Sequence, residues 1–122
     1  MKIEKEYSKL STYNPKMQSL LVMLDAWTRA QYNKEITLTH LFRTDQEQID
    51  LYAQTPAAER PAKSPHQTWE AVDLRSTDWS KKQQDAMCEL LNKSNTNPGG
   101  KKTAFVHAIA GNVEHFHIQV LL

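Results

Sequence analysis

The sequence predicts an α+β domain, a largely antiparallel sheet packed against helices. Three observations carry that expectation. Apolar residues recur at helical spacing in "NPKMQSLLVMLDAWTRAQY" and "DWSKKQQDAMCELLNKS". Short alternating or β-rich runs fall between them and after them. The last two runs are joined by a Gly-Asn turn that suits a hairpin. The 122 residues are enough for one compact domain, 1–122, and too few for two.

In the first helical stretch Asn14 can cap and Pro15 suits the first turn. Met17, Leu20, Leu21, Leu24 and Trp27 form its buried face. "EITLTHLFR" alternates as a strand, with Ile36, Leu38, His40 and Phe42 on one side and Thr37, Thr39, Leu41 and Arg43 on the other. His40 then falls among apolar residues and reads as a hydrogen-bonded core or edge histidine. "TDQEQIDLYAQ" is a short helix: Thr44 and Glu47 fit a capping box, and Ile49, Tyr52 and Ala53 face inward. "TPAAERPAKSP" is a proline-rich surface loop, and "WEAVDLR" a short strand. The second long helix turns Trp79, Ala86, Met87, Leu90 and Leu91 inward, and Cys88 within it reads as a partly buried structural thiol. "NTNPGGKK" is a loop, and "TAFVHAI" and "EHFHIQVLL" are the hairpin strands. His107 shares a side with Phe105 and Ile109, which favours a structural role.

Composition excludes several classes of function. The formal net charge is +1 and no Lys/Arg run exceeds two residues, so a nucleic-acid partner is not expected. No apolar stretch approaches the roughly 20 residues of a membrane span. "MKIEKEYSKL" is charged throughout and does not read as a signal peptide, so synthesis in a cytoplasm is expected. A lone cysteine, which has no internal disulfide partner, agrees.

The final strand carries chemistry-bearing residues. Phe116, Ile118, Val120 and Leu122 share one face and can pack on helices; His115, His117, Gln119 and Leu121 share the other. Two imidazoles on one face of a strand stand about 6.5–7 Å apart. Upstream, "SPHQTWEAVD" offers His66 and Asp73. A catalytic zinc uses such ligands, three from the protein with a fourth position open to water. Their odd spacing lets His66 and Asp73 converge only if the chain turns or bulges between them.

Together these pieces resemble the zinc peptidases of the D-alanyl-D-alanine carboxypeptidase and L-alanyl-D-glutamate endopeptidase kind, which share their fold with hedgehog signalling domains. The family pattern Ser-x-His-x-x-Gly-x-Ala-x-Asp is met by Ser64, His66, Ala71 and Asp73, with Trp69 where the family has Gly. The later Glu-x-x-His is met by Glu114 and His117, and the His-x-His form of the last strand by His115 and His117. "THLFRTDQEQIDLY", with Arg43, matches an upstream strand ending in Arg followed by a polar helix containing Gln; Leu41 stands where related versions have Gly. The resemblance runs over residues 36 to 121 in the family's order.

The resemblance implies a hedgehog/DD-peptidase-like fold and a zinc ion held by His66, Asp73 and His117. It implies hydrolysis of a D-amino-acid-containing peptide bond, with a peptidoglycan peptide as substrate. Glu114 would move the proton between water and leaving amine. His115 either contacts an oxyanion or the substrate, or lines the rim. Arg43 either binds a substrate carboxylate through its planar fork or is a surface charge. Ser64 either orients substrate or stabilises its loop. A phage-type enzyme, made inside a cell and later released to or delivered at the cell wall, fits these expectations. The alternative is a zinc-binding or metal-free domain of the same fold used for binding or assembly.

Overall fold

The structure, a computed structural model, describes residues 1–4, 14–40, 70–108 and 114–121. Its elements are β1 (Lys2–Ile3), α1 (Pro15–Tyr32), β2 (Thr37–His40), β3 (Ala71–Arg75), α2 (Lys81–Ser94), a 3-10 turn at Pro98–Gly100, β4 (Ala104–His107) and β5 (His115–Gln119). The five strands lie in the order β1-β2-β3-β5-β4. β1 runs parallel to β2, and the other pairings are antiparallel. The fold is thus α+β with a mixed sheet and two described helices. The expected short helix from Thr44, the loop around Pro56, Phe42 and the Gly111-Asn112 turn lie outside the described residues.

Asn14 begins α1 as expected: its side-chain oxygen accepts from the Met17 N–H at 2.9 Å, and Pro15 occupies the first turn. Such a cap satisfies one of the donors a helix start leaves open. Asn33 ends the helix at φ 52°, a left-handed conformation Asn tolerates better than most residues, and its N–H donates to the Arg29 carbonyl. Met17, Leu20, Leu21 and Leu24 are buried as expected. Trp27 is only partly buried, with its ring edge-on to Tyr32 at 5.5 Å. Thr28 takes the buried place instead, and its hydroxyl donates to the Asp25 carbonyl.

α2 starts later than the sequence pattern suggests. Ser80 caps it in a reciprocal capping box with Gln83, so Trp79 sits in the turn before the helix, buried with the Lys34 ammonium 4.8 Å from its ring centre. Met87 and Leu91 are buried, Leu90 packs partly buried against the core, and Ala86 is only half-buried. The buried Gln84 amide donates to the carbonyls of Ser76 and Trp79, which ties the β3–α2 turn to the helix.

One core joins these elements. Leu20, Leu21 and Leu24 of α1 and Met87 and Leu91 of α2 cluster with Leu38, Val72, Leu74, Phe116 and Ile118 of the sheet. Phe116, Ile118 and Val120 are almost wholly buried, which bears out the strand alternation read from the sequence. Removing such a side chain from water contributes about 1.5–3 kcal/mol.

Two departures have plain causes. β1 was not foreseen because a two-residue parallel strand among charged residues has no periodicity; its backbone bonds run from Lys2 N–H to Ile36 O and from Glu4 N–H to Leu38 O. In β2, Leu38 pairs with Leu74 whereas His40 pairs with Asp73, so the register shifts between them. A bulge there interrupts the regular backbone pairing that strict alternation assumes. No described helix is long and apolar enough to cross a membrane.

Candidate metal centre

The face of the sheet that carries the polar residues is set by register. Asp73 on β3 and His117 on β5 are direct partners, and residues paired across an antiparallel ladder share a face. His115 lies two residues along β5, opposite Arg75, and so shares that face too. On the other side of β5, Phe105 pairs with His117 and His107 with His115. The expectation that Asp73, His115 and His117 line one side of the sheet therefore holds.

Asp73 is 1% exposed and His117 6% exposed. A carboxylate this buried needs compensating donors or positive charge, since an isolated buried ion is costly by several kcal/mol. Two imidazole nitrogens converge on one of its oxygens: His115 Nε2 at 3.4 Å and His117 Nδ1 at 3.7 Å from Asp73 Oδ1. These separations exceed the ~2.7–3.2 Å of a direct N–H···O bond. Between the two expected ligands, Asp73 and His117, the 3.7 Å separation is slightly wider than the about 3.4 Å that tetrahedral legs of about 2.0–2.2 Å set between donors around one zinc.

The rest of the face holds these rings. Phe105 stacks on His117 with centroids 4.9 Å apart and planes 29° apart. The His107 ring lies edge-on to His115 at 4.8 Å and to His117 at 5.5 Å. His117 Nε2 is 2.9 Å from Gln119 Oε1, and Gln119 Nε2 donates to the Lys102 carbonyl at 2.9 Å. Phe105, His107 and Gln119 are members of the site that sequence reasoning did not assign. His107 does share a side with Phe105, as read, but that side is the histidine face. The hairpin register pairing His107 with His115 is the signal that would have found it.

Other expected residues stand as follows. Glu114 is exposed just before β5; its carbonyl accepts from the Ser76 hydroxyl at 2.7 Å. Its charge, behind a stronger hydrogen bond and attraction from Asp85, helps raise the pKa of Lys81 at the start of α2. Arg43, Ser64, His66 and Trp69 lie outside the described residues. Among the described residues, no group of three or more His, Cys, Asp or Glu side chains could hold a metal ion by itself. Asp73 and His117 supply donor types that a zinc ion takes, and the expected third ligand, His66, lies outside the described residues. Cys88 is away from this chemistry: burial pushes its thiol up, which keeps it protonated at neutral pH.

Comparison with protein-family models, with curated proteins and with solved structures finds no match to the chain.

Proposed function

We propose that the protein is a small zinc peptidase of the hedgehog/DD-peptidase kind that hydrolyses a D-amino-acid-containing bond in peptidoglycan peptides. One observation carries this reading furthest. Asp73 and His117, two of the three residues the resemblance marks as ligands, are register partners whose donor atoms stand 3.7 Å apart on a buried face. They come from separate motifs more than forty residues apart in the chain.

In this proposal His66, Asp73 and His117 hold the metal. A zinc ion so held would lower the pKa of a bound water to about 7 and polarise a carbonyl. The chain's own residues then divide the work. The Glu114 carboxylate takes a proton from the attacking water and returns it to the leaving amine nitrogen. His115 Nε2, beside Asp73, donates to the oxyanion that develops on the scissile carbonyl. Arg43 binds a substrate carboxylate through two parallel N–H groups, and Ser64 orients the peptide. The Phe105 and His107 rings wall the site and fix the two imidazoles beside them. Peptidase action at the cell wall, in the manner of a phage lysis enzyme, is the setting this chemistry suits.

The test is digestion of purified muropeptides with zinc-loaded protein, followed by mass analysis of the products. The proposal expects loss of a terminal D-alanine or scission next to D-glutamate. Full zinc occupancy without any cleavage would replace it with a binding or assembly role on the same fold.

A further inference from the structure

We infer that Gln119 is a positioning residue that fixes the ring tautomer of His117, so that Nδ1 is the nitrogen offered toward Asp73 and to a metal; this rests on the zinc reading above. The reasoning begins with a carbonyl. The Lys102 carbonyl can only accept, and it lies 2.9 Å from one end of the Gln119 amide. That end must be the NH2 group, because the reverse orientation would set two oxygens against each other. The other end is then Oε1, which faces His117 Nε2 at 2.9 Å. An amide oxygen only accepts, so Nε2 must carry the proton. In the neutral imidazole the second nitrogen, Nδ1, then has the lone pair, and it is Nδ1 that lies 3.7 Å from Asp73 Oδ1.

The amide is itself anchored. Gln119 is 8% exposed, its N–H donates to the Thr103 carbonyl and its own carbonyl accepts from the Asn97 amide. The Asn97 amide also donates to the Lys102 carbonyl at 3.3 Å, and Asn97 Oδ1 accepts from the Leu121 N–H. The loop between α2 and β4 thereby places the Lys102 oxygen that orients Gln119. Metal-binding histidines characteristically have their other ring nitrogen held by such a hydrogen bond, and losing that partner costs about 10–100-fold in metal affinity. Without Gln119, the favoured proton position reverses: an N–H on Nδ1 would point at the Asp73 carboxylate, where a metal has to displace it.

The experiment reads the tautomer directly by 15N NMR of the ring nitrogens in metal-free protein. The spectra are recorded in mildly alkaline buffer. Wild type should show His117 protonated on Nε2. Gln119→Leu should shift the proton to Nδ1 and weaken zinc binding by about 10–100-fold in a competition titration. Gln119→Glu keeps an acceptor for Nε2 and should retain the wild-type tautomer, with zinc affinity nearer wild type than the Leu variant. A wild-type His117 protonated on Nδ1 overturns the inference, and this needs no variant to fold. So does a folded Gln119→Leu protein whose tautomer or zinc affinity is unchanged. A wild type with the expected tautomer but no zinc binding upholds the Gln119–His117 geometry, and sinks the zinc reading and with it the role toward metal.

Discussion

The five residues of β5 divide between its two faces, which do opposite things. Phe116 and Ile118 are buried among Leu38, Leu74 and the helices, and the cluster is apolar throughout. His115, His117 and Gln119 on the other face meet a carboxylate, two more rings and a backbone carbonyl. Both faces exclude most water, yet only one keeps groups that can bind or move a cation. In the proposed function the helix face holds the sheet in shape and the histidine face carries the chemistry. If so, changes on one face should move stability, and changes on the other should move metal and activity.

The largest expected stability effect is on the helix face. Phe116→Ala should cost about 3–5 kcal/mol, the range for removing a buried aromatic ring. In metal-free protein His117→Ala should cost less, on the order of 1 kcal/mol for a lost hydrogen bond. Chemical denaturation of both variants without zinc checks this. Equal losses would mean that the histidine face is structural after all.

Much of this contrast was legible in the sequence, and the parts that were not have physical reasons. Period two placed Phe116, Ile118 and Val120 inward and His115 and His117 together, because one buried face fixes strand register. Asn14 and Pro15 announced α1 because caps are local chemistry. The role of His107 was not legible from its own strand, since only the register across the hairpin places it beside His115. The part of Gln119 was hidden for a similar reason: its partner, the Lys102 carbonyl, is backbone in a loop. The shifted register at His40 comes from a bulge that alternation cannot foresee.

A second test separates proton transfer from metal binding. Glu114→Gln keeps size and polarity but removes the base, so muropeptide cleavage should fall by at least ~10²-fold. Zinc content and melting temperature should stay close to wild type. If the variant cleaves as fast as wild type, the proton-transfer role passes to His115.

A smaller effect is expected where α2 begins. Ser80→Ala removes the side-chain half of the capping box and should destabilise by about 1 kcal/mol in thermal or chemical unfolding. Zinc affinity should not change. A clear drop in affinity would show that the two faces are coupled through the β3–α2 turn.

The smallest expected effect is a pH dependence at Asp25 on α1. Burial pushes its carboxyl up, but hydrogen bonds from Arg29, the Met1 ammonium and the Ile36 N–H outweigh that and hold it below the ordinary value. A depressed folded-state pKa stabilises fully above the unfolded-state pKa of about 3.9. That stability is lost as pH falls through the folded value. The stability gap between wild type and Asp25→Asn should therefore narrow in acid, seen by denaturation from neutral pH downward. A gap that stays constant would assign the loss to packing instead of charge.

The central claim is that the histidine face holds zinc, and zinc titration of wild type beside Asp73→Ala tests it most directly. The account predicts about one zinc ion per wild-type chain. The variant should lose that binding while keeping its fold by circular dichroism. Wild type that takes up no zinc, or a folded Asp73→Ala protein that binds it equally well, would contradict the account.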